Sequence, residues 1–318
     1  MIRRLLIAAL ALAPAVAWAQ PAALPPGPIR LIVGFPPGGG IDLLTRVLAT
    51  GLAPRLGRAV VVENRAGAGG NLAAELVAKA PPDGSVMGSV PAGPLVINRH
   101  IYRTMPFDPL ADLTPISRFA AIPVILMGAP NWPVTTIAEF RAALRARPTA
   151  CGTPGAGTTQ HLATALLLRA LDAPCDIVHY RGTGPALPDL LTGTIQAYTD
   201  TVVTGLPPTR DGRARAIAVF SAERSPLAPE LPTVAETIPG FSAETWLALM
   251  GPRGMPDALA AWFEEHAIAV ARDPAVVAQI RALGAEAVGS DRAALAAAIR
   301  DQDAMWGPVA RAAGVTAD

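Results

Sequence analysis

Residues 29–40 read IRLIVGFPPGGG, an apolar run followed directly by a glycine-rich turn. The apolar part, Ile29–Phe35, predicts a short buried strand. After the turn come Asp42 and apolar residues at helical spacing: Leu43, Leu44, Val47 and Leu48. A turn between a strand and a helix leaves several backbone N–H groups unpaired, and the aligned peptide dipoles add about half a positive charge there. The stretch therefore predicts an anion-binding helix N-terminus.

A second stretch, residues 149–159, repeats this order with the letters TACGTPGAGTT. Thr149–Cys151 is a candidate strand, and apolar residues follow the turn at helical spacing: Leu162, Leu166 and Leu167. Thr158 and Thr159 are natural N-cap residues, and either hydroxyl is also able to donate to a ligand oxygen. Two such turns, about 118 residues apart, indicate two lobes that present anion sites to each other across a cleft.

The rest of the chain alternates between short apolar segments and helical patterns. Continuous apolar strands between helices predict parallel sheets that helices cover on both faces. The predicted strands are Ile29–Phe35, Val60–Glu63, Val86–Val90, Val124–Met127, Ile177–Tyr180, Gln196–Asp200 and Ala216–Phe220. The predicted C-terminal helices are Pro256–Ala271, Pro274–Leu283 and Arg292–Ala312, with Asp273 as the cap of the second.

We therefore predict an α/β fold of two lobes, each with its own sheet, and a ligand cleft between the lobes. Residues 20–123 together with 248–318 would form the first lobe, and residues 124–247 the second. The chain would cross between the lobes near Ile122–Met127 and near Thr245–Pro252. The helical C-terminal block would then pack back onto the first lobe.

The first 19 residues predict a secretory signal peptide. Arg3 and Arg4 supply the charged end, Leu5–Val16 the apolar stretch, and Ala17–Ala19 the cleavage site. A transmembrane anchor is the alternative, but the apolar run is shorter than the roughly 20 residues that a spanning helix needs. We therefore expect an exported protein. Loss of the two arginines lowers the formal net charge from +1 to −1, which gives no sign of a nucleic-acid partner.

The two cysteines, Cys151 and Cys175, predict a disulfide, because an even cysteine count in an exported protein favours a bridge. Cys151 lies in a candidate strand and Cys175 just before the next one, and adjacent parallel strands would bring them within bonding range. Two buried thiols are the alternative. No cysteine or histidine cluster has the spacing of metal ligands.

The sequence lacks the signatures of an enzyme. It contains no Gly-x-Ser-x-Gly motif, and no lysine follows Gly157-Thr158 as a phosphate-binding loop would require. His161 is the one histidine near a glycine turn, where capping, packing and ligand contact are all open. An exported chain without a nucleophile, a metal site or a cofactor motif is typical of a binding protein.

Six motifs in order give the chain a family resemblance. They are Phe35–Gly39 with Asp42, Val61–Gly70, Ala80–Gly84, Gly155–Thr158 with His161-Leu162, Tyr180–Gly182 with Pro185-Ala186, and Arg224–Pro226 with Leu231–Glu236. In this order and spacing they resemble the Bug family, the extracytoplasmic solute receptors of tripartite tricarboxylate transporters. The resemblance covers essentially the whole chain after the signal peptide.

The resemblance implies a protein located in the periplasm, with a type II periplasmic-binding-protein-like fold that captures a small carboxylate in its cleft. The two glycine turns would hold one carboxylate, and the loop after the third strand would form another wall. The expected ligand-binding residues are Phe35, Gly38, Gly39, Gly40, Asp42, Pro91, Ala92, Gly93, Thr153, Gly155, Gly157, Thr158, Thr159, His161 and Asp200. We expect no catalytic residue, no metal and no cofactor, and we expect a monomer that works with the membrane subunits of a transporter.

Some roles remain open at this stage. Asp42 is either a helix cap or a ligand contact, and Asp200 is either a ligand contact or a solvated strand end. For Arg181 the sequence favours a structural ion pair over a contact with an acidic ligand. The leading function is delivery of a di- or tricarboxylate, an aromatic acid or a similar compound to a transporter. The alternative is a sensor that reports its ligand to a membrane signalling protein.

Overall fold

A computed structural model describes residues 25–226 and 228–317. The predicted signal peptide, residues 1–19, therefore lies outside the described residues. The strands are β1 Ile29–Val33, β2 Val60–Asn64, β3 Val86–Pro91, β4 Leu113–Gly128, β5 Ala150–Thr153, β6 Asp176–His179, β7 Ala197–Thr201, β8 Arg215–Val219, β9 Glu244–Pro252 and β10 Glu286–Ala287. The helices are α1 Gly40–Leu56, α2 Asn71–Ala78, α3 Ile137–Ala146, α4 Thr159–Leu171, α5 Thr183–Thr192, α6 Val202–Arg210, α7 Asp257–Ala271, α8 Pro274–Ala282 and α9 Arg292–Ala313.

Six of the seven predicted strands and each predicted C-terminal helix are confirmed to within a few residues, whereas the predicted strand Val124–Met127 is only the end of β4, which begins at Leu113. The cap is confirmed as well, since the Asp273 side chain accepts a hydrogen bond from the Ala275 N–H. Within the part of the chain that the structure describes, we find no helix with both the length and the apolar character needed to cross a bilayer.

The sheet is mixed, so the prediction of purely parallel sheets is wrong. The strands follow the order β2-β1-β3-β9-β4-β7-β5-β6, and β8 and β10 also pair with β4. The outer pairs β1–β2, β1–β3, β5–β6 and β5–β7 are parallel, as expected for strands that helices connect. The central pairs β3–β9, β4–β9 and β4–β7 are antiparallel, because β4 and β9 run between the two halves without a crossover helix.

Strand β4 belongs to both halves, so the expectation of two separate sheets is also wrong. Residues from Leu113 to Pro123 pair with β9, and residues from Val124 to Gly128 pair with β7 and β8. We call β1, β2, β3, β9, β10 and the first part of β4 the first strand group, and β5–β8 with the rest of β4 the second. The lobe boundaries at 123/124 and 247/248 stay a prediction. The pairing partners change between Pro123 and Val124, and β9 pairs with the first group from Glu244 onward.

Two of the three C-terminal helices, α7 and α8, pack onto the first strand group. Helices α7 and α8 share one hydrophobic core with α1, β1 and the first part of β4. The approach of α1 to α7 is close, since a Cβ atom added at Gly51 would lie 2.5 Å from Val270 Cγ1. The side chains of Leu259, Phe263 and Val270 in α7 are buried there. Burial of these side chains stabilises the packing by about 1.5–3 kcal/mol each.

The disulfide is confirmed. Cys151 in β5 and Cys175 before β6 are bonded, with 6.0 Å between their Cα atoms. Parallel pairing of the two strands brings the cysteines together, since Ala150 is the partner of Asp176 and Cys151 of Ile177. The disulfide links β5, the strand that leads into the second glycine turn, to the residue before β6.

Candidate functional site

The first glycine turn runs from the end of β1 to Gly39, the N-cap residue of α1. Gly38 has a φ of +83°, a conformation that favours glycine, and its N–H donates to Asp42 Oδ2 at 2.9 Å. Gly40, the first residue of α1, lies against the second half of the chain. A Cβ atom added at Gly40 would be 2.5 Å from Thr201 Oγ1, so only glycine allows this approach.

The second glycine turn joins β5 to α4, and Thr158 is its N-cap residue. The Thr158 hydroxyl accepts from the His161 N–H at 3.1 Å and donates to the Gly155 carbonyl at 2.8 Å. Its proton is therefore already used within the turn. The neighbouring Thr159 hydroxyl donates across to Thr245 Oγ1 at 3.3 Å. Both turns thus open helices, as the sequence predicts, and the cap of α4 is made by Thr158.

Two further helices begin at the same place. Helix α5 has Gly182 as its N-cap residue, which has no side chain to cap the helix, and α6 has Thr201, whose hydroxyl makes no capping hydrogen bond to the helix. Together with Gly39 and Thr158, these residues line one cavity of about 540 Å³ that opens partly to solvent. We call it the inner cavity. The first N–H groups of a helix have no carbonyl partner within the helix, so four sets of donors meet around this space.

The inner cavity carries no basic side chain among the residues that the structure describes. Asp200, at the end of β7, is the one ionisable group in its described lining. Each helix N-terminus contributes roughly half a positive charge. The positive charge that faces a bound group therefore comes from the backbone. Phe35, Pro91 and Pro94 add apolar walls. The arrangement suits a small anion with an apolar body.

Asp200 is held in place by its own network of donors. Its Oδ2 accepts from the hydroxyls of Thr183 and Thr204 at 2.8 and 2.7 Å, and its Oδ1 accepts from the Thr201 N–H at 2.7 Å. Burial raises the pKa of the Asp200 carboxyl, although these hydrogen bonds act in the opposite direction. Asp200 is therefore buried at the cavity wall, which corrects the alternative of a solvated strand end.

Asp42 does not line the inner cavity, so the structure supports its reading as a cap. Its carboxylate accepts from Gly38 N–H, from Arg46 Nε at 2.9 Å and from Asn64 Nδ2 at 2.7 Å. Burial alone would raise the pKa of Asp42, but the hydrogen bonds from Arg46 and Asn64 lower it below its usual value. The side chain fixes the first turn from behind.

Eight of the predicted ligand-binding residues line the inner cavity: Phe35, Gly39, Gly40, Pro91, Gly93, Thr158, Thr159 and Asp200. Gly155 lines a second, adjacent cavity. The structure does not bring the other six to the wall of the inner cavity: Gly38, Asp42, Ala92, Thr153, Gly157 and His161. Contact of any of these residues with a ligand stays a prediction.

His161 and Thr153 lie behind the second turn. His161 is buried, and its Nδ1 accepts from the Gly157 N–H at 3.2 Å. Its ring stacks edge-on against His179 with 4.3 Å between centroids, and the Thr153 hydroxyl bonds to His179 Nδ1 at 2.9 Å. Burial, with the neighbouring His179, lowers the pKa of His161 to about 4. His161 is therefore a neutral support of the turn.

Gly157 and Ala92 are packing positions. A Cβ atom added at Gly157 would lie 2.6 Å from Asn98 Oδ1, and one added at Gly93 would lie 2.6 Å from the Gly157 carbonyl oxygen. The loop after β3 therefore touches the second turn directly. Ala92 is buried in the core beside it.

Sequence reasoning missed part of the cavity lining. These residues are Pro36, Pro37, Ile41, Gly69, Pro94, Pro154, Gln160, Gly182, Thr183, Gly184, Thr201 and Thr245. Two signals pointed to some of them: Gly182 follows a strand in the Tyr180–Gly182 motif, and Thr201 follows Asp200 at the end of another. The favoured ion pair for Arg181 is wrong, since Arg181 makes no ion pair with any described residue.

Residues from both halves of the chain line one cavity at helix N-termini. This arrangement defines a solute-binding protein of the periplasmic binding protein class. The family model described as "Tripartite tricarboxylate transporter family receptor" matches residues 44–315. The chain therefore belongs to this family of receptors, which are not enzymes, and the resemblance to Bug receptors is confirmed.

Relatives match over nearly the whole chain. The chain is 34% identical over 294 residues to protein BugT of Bordetella pertussis, which covers 91% of this chain and 90% of BugT. The solved structure of R. palustris Rpa4515 with adipate is similar with a TM-score of 0.89 and 32% identity, covering 92% of this chain and 99% of that one. MatC from Rhodopseudomonas palustris with bound malate gives a TM-score of 0.84 at 28% identity, covering 90% and 99%.

Proposed function

We propose that this chain captures a small carboxylate in the inner cavity and delivers it, in the periplasm, to the membrane subunits of a tripartite tricarboxylate transporter. The observation that carries the proposal is the meeting of four helix N-termini, α1, α4, α5 and α6, around a cavity without a basic side chain among the described residues. Free N–H groups and helix dipoles favour an oxyanion there.

The lining of the cavity supports a small acid as the ligand. Proline and phenylalanine walls beside the helix N-termini suit the apolar body of such an acid. The two similar structures that hold adipate and malate have ligands of this class. The buried Asp200 disfavours a second negative charge next to it, so the ligand would place one carboxylate at the helix N-termini and another kind of group beside Asp200.

The site is tested by filling the cavity without straining the backbone. Gly39 has φ −75° and ψ 161°, which any residue adopts, and a Cβ atom there would meet nothing closer than 3.6 Å. Gly39→Val therefore adds bulk inside the cavity and leaves the fold intact. Loss of one charge-assisted hydrogen bond, worth about 1.5–3 kcal/mol, weakens binding about ten- to a hundredfold.

The measurement is a thermal-shift screen against small carboxylates, followed by calorimetry with the best one. A ligand at about 100 times its Kd adds roughly 2.7 kcal/mol to stability. Gly39→Ala should fall between wild type and Gly39→Val, and Ala275→Val on the exposed surface of α8 is the control that should bind as wild type does. Unchanged affinity in Gly39→Val would place the ligand elsewhere.

Delivery is tested in cells. Uptake of the labelled carboxylate should fall when the chain is deleted, return with the wild-type chain, and stay low with Gly39→Val. Uptake that is independent of the chain would reject delivery and favour the sensing role. Mass measurement of the chain from the periplasmic fraction tests cleavage after Ala19, and light scattering tests the expected monomer.

A further inference from the structure

A second cavity of about 1120 Å³ adjoins the inner one, and we call it the outer cavity. The two share five lining residues: Phe35, Pro36, Gly69, Pro154 and Gly182. Beyond them the outer cavity is bounded by the loop at residues 66–70 and by the strand end at residues 179–182. An elongated ligand anchored at the helix N-termini would therefore extend into the outer cavity past the Phe35 ring.

The charges of the two cavities differ. The outer cavity has no aspartate or glutamate among its described lining residues, and its one permanently charged side chain is Arg181. Tyr180 donates its hydroxyl to Asp189 Oδ2 at 2.7 Å, and burial with this hydrogen bond raises its pKa to about 12. Burial lowers the pKa of His179, so its ring adds no charge near neutral pH.

Arg181 differs from the arginines that ion pairs hold in place, and it is the one arginine among the described lining residues of the outer cavity. Arg30 pairs with Glu63, Arg46 with Asp42, Arg224 with Glu236 and Arg292 with Glu264. Arg181 is exposed at the outer cavity and has no ion-pair or hydrogen-bond partner among the described residues. An unpaired guanidinium presents a planar set of donors that matches a carboxylate in a two-point contact.

We propose that the outer cavity binds the second acidic group of an elongated diacid and that Arg181 selects for this group. The inference rests on the proposed function, because the first carboxylate is the one held at the helix N-termini. The two ends of the ligand are recognised by different means. The inner end meets backbone dipoles, whose field is short-ranged, whereas the outer end meets a full charge that attracts a second carboxylate specifically.

The test compares acids of the same chain length that differ in one carboxylate, adipate and hexanoate. Calorimetry is done on wild type, Arg181→Gln and Arg181→Lys, with Arg253→Gln as the control at a remote exposed arginine. Arg181→Gln should weaken adipate binding about two- to fivefold, the range of one exposed ion pair, and should leave hexanoate binding unchanged. Arg181→Lys should restore part of the adipate affinity, since the charge remains and the two-point geometry is lost.

The salt dependence separates charge from shape. Adipate binding to wild type should weaken more steeply with added salt than binding to Arg181→Gln. Equal losses for both acids, or unchanged adipate binding in Arg181→Gln, would overturn the selection by Arg181 and leave the proposed function standing. Failure of wild type to bind any small carboxylate would reject the proposed function together with this inference.

Discussion

Acidification should destabilise the protein through His161. Its ring is buried and its Nδ1 accepts from the Gly157 N–H, so protonation at Nδ1 breaks that hydrogen bond and places a charge beside His179. The unfolded chain takes up a proton near the ordinary pKa of 6.5, whereas the folded chain does so only near about 4. The unfolded state therefore binds more protons between these values, and stability falls as the pH falls through that window.

The magnitude follows from the two pKa values. Linkage gives a loss of roughly 2 kcal/mol in the free energy of unfolding between about pH 7 and about pH 5 from this one side chain. Urea unfolding at the two pH values measures it, first on wild type and then on His161→Asn. Asparagine keeps an acceptor for the Gly157 N–H but does not titrate in this range.

The comparison isolates His161 because His179, whose pKa is also lowered by burial, remains in both proteins. Wild type should lose about 2 kcal/mol more than His161→Asn on going from about pH 7 to about pH 5. The same loss in both proteins would refute the reasoning and show that another group controls acid stability. The second turn would then depend less on the neutral imidazole than the geometry indicates.

Three more outcomes follow from the structure. Cys151 and Cys175 are 24 positions apart, and reduction of their disulfide should lower the free energy of unfolding, measured by urea unfolding, by about 3 kcal/mol. Free thiols in the unreduced protein would contradict the disulfide. Gly157→Ala should lower the free energy of unfolding by about 1–2 kcal/mol, because the φ of Gly157 is +79° and the new Cβ atom meets Asn98 Oδ1. The variant should also bind the best carboxylate more weakly by calorimetry. Wild-type stability of the variant would disprove this prediction. Thr136→Ala removes the capping box of α3 and should lower the stability measured by thermal unfolding by about 1 kcal/mol, with carboxylate affinity unchanged. A loss of affinity would contradict this prediction and link α3 to the site.

The local parts of the fold could be predicted from the sequence. An apolar run, a glycine turn and a helical pattern lie within about 20 residues at Ile29–Leu48, so neighbouring residues alone determine β1, the turn and α1. The dual pairing of β4 could not be predicted, because its partners lie about 70 to 140 positions away. An apolar run there predicts a strand and says nothing of which strands flank it.

The site divides in the same way. The caps of α1 and α4 carry glycine runs that mark a turn, whereas Thr201 follows its strand without any glycine and was missed. The role of Asp42 depends on Arg46 one helical turn ahead and on Asn64 in another strand. Only the packing of β2 beside α1 shows that the Asp42 carboxylate accepts hydrogen bonds from both side chains.

The unbroken course of β4 limits how the two halves of the molecule can move. A strand that is paired with other strands along its length cannot swing as a free linker does, because such a movement would break backbone hydrogen bonds. Pro123, at the change of partners and opposite Glu244, has no N–H to contribute. We expect the sheet to flex along a crease through these two residues, so that the inner cavity opens by a twist of small amplitude. Within β4 and β9, amide exchange should be fastest at this crease and slow on either side of it.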